Sequence, residues 1–114
     1  MPYMHVRTNV RATEEQKTAL KTALGSAVTL LPGKTEQWLM VDVEDKATLF
    51  LAGRGDRPLA MVEVELFGRS APSAYDALTA GICRILEETL SVPGDGVYVK
   101  YAEVEHWGYD GSNF

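Results

Sequence analysis

The chain carries a single cysteine, Cys83, and two histidines, His5 and His106, among 114 residues. One thiol excludes an internal disulfide, so nothing ties the fold to an oxidising compartment. The same scarcity leaves too few nitrogen and sulfur ligands for a dedicated zinc site. Positive charge is also short: 11 Lys and Arg stand against 16 Asp and Glu, a net charge of −5. That balance speaks against a nucleic-acid-binding role, which favours a basic face. No apolar run approaches the ~20 residues that cross a bilayer, and no signal peptide leads the chain. The expectation is a cytoplasmic protein with neither membrane nor nucleic acid as partner.

What is present is ordinary in bulk and informative in order. Hydrophobic residues make up 46% and charged residues 24%, as in a globular protein. A chain of this length makes one domain, 1–114, burying about two-thirds of its unfolded surface. The first nine residues draw the eye. Alternation along an extended strand puts Pro2, Met4, Val6 and Thr8 on one face and Tyr3, His5 and Arg7 on the other. Removal of the initiator methionine leaves Pro2 with a secondary amine, a base whose ordinary pKa is near ~8. An apolar pocket or a nearby lysine lowers that value towards the range useful for proton abstraction. The blander alternative is a stiff first residue of an edge strand.

Thr13 and Gln16 read as a capping box for a helix striped by Leu20, Ala23, Leu24, Ala27, Val28 and Leu31. Gly25 inside it suggests close packing on a sheet. Pro32-Gly33 stops the helix, and strands are expected at Trp38–Val43 and Thr48–Leu51. A glycine-rich loop over 53–58 then precedes a second round. Pro58-Leu59-Ala60-Met61-Val62-Glu63 echoes the start of the first strand, and this new strand runs on to about Phe67. Ser70 and Pro72 open a second helix striped by Tyr75, Leu78, Ile82, Ile85, Leu86 and Leu90. It stops at Pro93-Gly94, before a strand over Val97–Ala102.

Two βαβ halves, about 1–57 and 58–114, therefore make an α/β (α+β) domain. The expected sheet is four-stranded and mixed, with two helices on one face. The opposite face, with Trp38, Met40, Val99 and Tyr101 assigned to it, is too apolar for water and calls for oligomerisation.

These residues resemble the macrophage migration inhibitory factor family, including D-dopachrome tautomerase, within the tautomerase superfamily. The marks are Pro2, Val6-Arg7-Thr8-Asn9-Val10, Pro32-Gly33-Lys34, Phe67-Gly68, Val97-Tyr98-Val99 and Ser112-Asn113-Phe114. The resemblance spans the chain and implies a homotrimer with active sites between subunits. It implies a cofactor-free isomerase: a keto–enol tautomerase for phenylpyruvate- or dopachrome-like acids, requiring removal of Met1. Position by position, Pro2 becomes the general base. Lys34 binds the substrate carboxylate and helps keep the amine neutral. The Phe67 backbone N–H donates to the same carboxylate, and Tyr98 of the adjacent subunit walls the pocket.

Lys100 and Tyr109 replace an asparagine and a tryptophan of the best-known member, implying an added charge at the pocket mouth and a retained aromatic. His106 and Trp107 are candidates to approach the site. The Cys-x-x-Cys of some members is absent, with Leu59 and Val62 in its place, which excludes thiol–redox activity through it. Cys83 reads as a packed helix residue. Arg54-Gly55-Asp56 reads as a solvated turn, and Arg7 as a salt-bridge partner. The family also implies an alternative role: a cytokine-like signalling protein, secreted without a leader and recognised by a host receptor, its tautomerase site vestigial or regulatory. A third, hydration or dehalogenation of unsaturated acids, needs extra arginines, and Arg54 and Arg57 are the ones to place.

Overall fold

The computed structural model describes residues 1–114. Strands β1 (Pro2–Thr8), β2 (Met40–Glu44), β3 (Ala60–Phe67) and β4 (Val97–Val104) form one sheet in the order β2-β1-β3-β4. β1 runs parallel to β2, β3 parallel to β4, and β1 antiparallel to β3. The helices α1 (Glu14–Ala27) and α2 (Pro72–Leu90) are the two crossovers and pack together on one face. This is the tandem βαβ mixed sheet expected from the repeat. A two-stranded hairpin, β5 (Gly108–Tyr109) with β6 (Ser112–Asn113), closes the chain and has no counterpart in the sequence reading. No helix is long and apolar enough to cross a membrane.

Local chemistry sets the ends. Thr13 Oγ1 accepts the Gln16 N–H at 3.1 Å while Gln16 Oε1 accepts the Thr13 N–H at 2.8 Å, closing the capping box. Pro72 opens α2, where its missing N–H leaves no orphan donor, and Ser91 ends it in a left-handed turn. Ser70 is not the cap: Ala71 is, and the Ser70 N–H donates to the Tyr75 hydroxyl at 2.9 Å. Between sheet and helices lies a core that includes Met4, Val6, Leu20, Leu24, Val62, Val64, Leu78, Ile82 and Leu86.

The Thr8-Asn9 pair of the family signature is a structural clamp. Thr8 Oγ1, fully buried, donates to the Leu59 carbonyl at 2.7 Å and accepts the Val10 N–H at 3.1 Å. Asn9 donates to the Arg57 carbonyl and accepts the Leu59 N–H. The clamp fixes the far end of β1 to the start of β3, and with it the antiparallel register that sets Pro2 opposite Leu66.

Three expectations need correction. Trp38 is not in a strand: Glu36–Trp38 is a turn of 3₁₀ helix, and β2 starts at Met40. Thr48–Leu51 forms no strand, because no sheet edge of the chain pairs with it. Only a Leu51–Arg54 bridge closes a tight turn through Ala52 and Gly53, both at positive φ. Val99 and Tyr101 face the helices rather than the open side. Their register partners Val62 and Val64 are core residues, and the Tyr101 hydroxyl donates to the Tyr75 carbonyl on α2 at 3.0 Å. The open face is largely polar. Lys100 pairs with Glu63, Arg7 with Glu44, and His5 lies between Glu44 and Glu63. Met40, 68% exposed, is the residue among those assigned to this face that does stand open there, and Tyr98 stands open beside Lys100.

Candidate active site

The site assembles where β1 and β2 begin and β3 ends. Pro32-Gly33, with Gly33 at φ +81°, turns the chain sharply after α1. A side chain at Gly33 would be strained, so glycine sets the direction in which Lys34 leaves the corner. The Lys34 N–H donates back to the Leu31 carbonyl, and its ammonium reaches across to donate to the Phe67 carbonyl at 3.0 Å.

Phe67 is the hinge of the arrangement. Its N–H donates to the carbonyl of Met1 at 3.0 Å, one step beyond the β1–β3 ladder. With Met1 attached, the Pro2 nitrogen is an amide without basicity, and the Pro2 ring is buried. The Met1 α-amine reports the local field. Burial first, then the positive charge of Lys34 and a hydrogen bond with it, hold that amine below its ordinary value of 8.0.

Beside this terminus lies a cavity of about 430 Å³. Met1, Pro2 and Tyr3 form one wall, Gln37, Trp38, Leu39 and Met40 a second, and Trp107, Gly108 and Tyr109 a third, with Glu65 at its edge. Aromatic contacts hold the tail in place. Tyr109 meets Trp38 edge-on at 5.3 Å and stacks on Phe114 at 6.5 Å, while Phe114 leans on Phe67 at 5.5 Å. Such pairs add about 0.5–1.5 kcal/mol each beyond the area they bury.

Of the expected site residues, Pro2 and Tyr109 line the cavity together with Trp107, while Lys34 and Phe67 do not line it and are joined to the terminus through the Met1 amine and carbonyl. His106 does not line the cavity and lies exposed beside Glu105. Tyr98 and Lys100 are elsewhere in the chain. Tyr98, 62% exposed, borders a separate apolar cleft of about 210 Å³ with Phe50, Leu59 and Met61. Lys100 sits 3.5 Å from Glu63 on the open face, not at the mouth of the Pro2 cavity.

Alternation does hold here: Tyr98 and Lys100 share the exposed face of β4, with Val97, Val99 and Tyr101 opposite. Arg54 is paired with Asp56 in its own loop, and Arg57 with Asp95. Both arginines lie towards the Thr8 end of β1, away from Pro2. Sequence reasoning missed Gln37, Trp38 and Glu65. A 3₁₀ turn beginning two residues beyond Lys34 turns Trp38 towards the terminus, and it leaves no periodic signal in the sequence.

A tandem βαβ sheet with a proline at the start of its first strand defines a protein of the tautomerase fold. The profile of the Macrophage migration inhibitory factor (MIF) family matches residues 1–114, and the chain belongs to that family. Its structure is similar to Leishmania major MIF2, at 29% identity and TM-score 0.93, covering 100% of this chain and 97% of that one. It is also similar to the macrophage migration inhibitory factor homologue of Prochlorococcus marinus, at 24% identity and TM-score 0.88 over 98% of both chains. Pt0534, solved after inactivation by 2-oxo-3-pentynoate, matches at 20% identity and TM-score 0.85, covering 96% of this chain and 93% of that one. No curated protein sequence matches the chain.

Proposed function

We propose that this chain, once Met1 is removed, is a cofactor-independent keto–enol tautomerase of phenylpyruvate-like acids, with Pro2 as its base. The observation that carries the reading is the placement of Pro2 at the start of β1, in the wall of an aromatic-lined cavity and next to Met1, whose α-amine burial and Lys34 hold below its ordinary value. The Pro2 nitrogen lies one residue further along the same wall, so burial and the Lys34 charge favour its neutral form once it is a free amine, and the neutral form is the one that accepts a proton. Loss of Met1 also removes the carbonyl that engages the Phe67 N–H. That carbonyl oxygen stands in for one oxygen of a substrate carboxylate, with the Lys34 ammonium close by to take the charge.

The mechanism follows from this placement. The carboxylate docks on Lys34 and the Phe67 N–H, and the aromatic walls receive the ring. Pro2 takes the enol hydroxyl proton and returns it to the neighbouring carbon, or runs the reverse. The fixed cation and N–H donor stabilise negative charge developing on the bound acid. Pro58, the echo of Pro2, lies mid-chain without a free amine, so the second half does not duplicate the chemistry.

Family members are typically oligomeric and act on small molecules. In the homotrimer we propose, Tyr98 and Lys100 reach the cavity of a neighbouring protomer, consistent with their outward position here. Tyr109 serves the protomer that carries it. The signalling alternative gains no specific support from the geometry, and the remote, ion-paired Arg54 and Arg57 weigh against hydration or dehalogenation.

The test is phenylpyruvate tautomerisation by the processed protein and by Pro2→Gly. The expected loss is at least about 100-fold in kcat/KM, the scale of a general base, with the melting temperature little changed. A second arm uses 2-oxo-3-pentynoate. A free, neutral Pro2 amine should add to its triple bond, giving a mass increase of one reagent on the N-terminal peptide. Equal turnover by Pro2→Gly would refute the assignment.

A further inference from the structure

Met1 is not a loose end. Its carbonyl accepts the Phe67 N–H at 3.0 Å, which carries the β1–β3 ladder one step past the Pro2–Leu66 pair. Its α-amine is partly buried beside Lys34, and the residue forms part of the cavity wall. The Phe67 ring is braced in turn by Phe114 at 5.5 Å. The peptide bond after Met1 leads into a buried Pro2 at the head of an inner strand. Tyr3–Arg7 pair with β2 on one side, and Pro2–Thr8 pair with β3 on the other. Met4, Val6 and Thr8 have no exposed surface, and the Thr8-Asn9 clamp ties down the far end.

From this we infer that the fold shields the Met1–Pro2 bond from aminopeptidases, so that its hydrolysis has to precede closure of the β1–β3 ladder. The reaction adds water to the Met1 carbonyl carbon and breaks the bond to the Pro2 nitrogen, which takes a proton and becomes a secondary amine. An enzyme that removes one residue must draw the α-amine, the side chain and the scissile carbonyl into its own cleft. In the folded chain all three are engaged elsewhere. An inner strand also has no free edge to peel from, so lifting Pro2 and Tyr3 breaks pairing on both sides. Time before folding is ample. Both sheet partners of β1 are made later, and at about 5–20 residues per second Phe67 follows Met1 by roughly 3–13 s. A chain that folds with Met1 in place keeps its Pro2 nitrogen as an amide. This order holds whatever chemistry Pro2 performs and does not rest on the tautomerase reading.

The experiment takes the folded full-length chain with Met1 in place, verified by intact mass, and adds a methionine aminopeptidase. A peptide of residues 1–9 calibrates the enzyme on the same bond without a fold around it. Loss of one methionine is followed by mass, and hydrogen exchange of the Phe67 amide is read in parallel. The folded chain should be trimmed at least about 100-fold more slowly than the peptide, because cleavage tracks the population of the open form. The Phe67 amide should be protected to at least a similar degree. A folded chain trimmed at a rate near the peptide's, or a Phe67 amide exchanging as in an unstructured chain, would overturn the inference. A peptide left intact would overturn it as well, since the bond would then resist the enzyme with no fold to shield it.

Discussion

Lys34→Ala removes the one cation near the chain terminus, and its consequences separate into two measurable parts. The first concerns binding. The Lys34 ammonium spends one of its three donors on the Phe67 carbonyl, leaving two for a substrate carboxylate. A hydrogen bond to a charged group contributes about 1.5–3 kcal/mol, so kcat/KM should fall about 10- to 100-fold.

The second part concerns the base. Burial is the largest single cause of the lowered pKa of the neighbouring Met1 amine, and Lys34 adds both its charge and a hydrogen bond. The Pro2 amine is active only when neutral, hence above its pKa. Removing Lys34 raises that pKa, so the acid limb of the pH–rate profile should move towards higher pH. Because burial remains, the limb should stop short of the ordinary α-amine value near ~8. Lys34→Arg should restore the position of the limb better than it restores KM. The assay is phenylpyruvate tautomerisation across pH for wild type and both variants. An active Lys34→Ala enzyme with unmoved limb and unchanged kcat/KM would refute the role given to Lys34.

Further outcomes follow from the frame that holds the site. Thr8→Val leaves the Leu59 carbonyl and the Val10 N–H without their shared partner in a fully buried place. The cost should be about 1–3 kcal/mol and several degrees of melting temperature; an unchanged melting curve would show the clamp to be idle. Asp45 accepts the Ala12 N–H at 3.0 Å, which together with Lys17 holds its carboxyl below the ordinary 3.8. A depressed carboxyl pKa means stability present above the unfolded value and lost as pH falls through the folded one. Urea unfolding should therefore show wild type and Asp45→Asn converging below about pH 4; a gap independent of pH would contradict this.

The fold was legible because its punctuation is chemical. The box at Thr13 and Gln16 and the two apolar stripes act locally and appear where the residues put them, although α1 ends at Ala27 and a 3₁₀ turn over Val28–Leu30 carries the chain to the Pro32-Gly33 breaker. Sheet faces were harder. Alternation divides β4 into Tyr98 and Lys100 against Val99 and Tyr101, but an aromatic stands on each side. Only packing against α2 decides which one turns inward.

The Thr48–Leu51 segment has strand-like composition yet no partner in its own chain, and a strand without a partner does not form a ladder. At the site, Lys34 and Phe67 lie 33 residues apart, and their pairing was suggested by the resemblance, not by spacing. Trp38 and Glu65 escaped notice for a different reason. Their place in the wall depends on a short 3₁₀ turn and on which residue of β3 sits opposite Tyr3, neither of which leaves a periodic trace.

Everything enzymatic here depends on the Pro2 nitrogen being a free amine. The most direct measurement takes two preparations verified by intact mass, one beginning at Pro2 and one retaining Met1 ahead of it, and compares their phenylpyruvate turnover. The expected result is an active Pro2 form and a Met1 form slower by at least about 100-fold, since an amide cannot serve as the base. Equal turnover by the two forms would contradict the account.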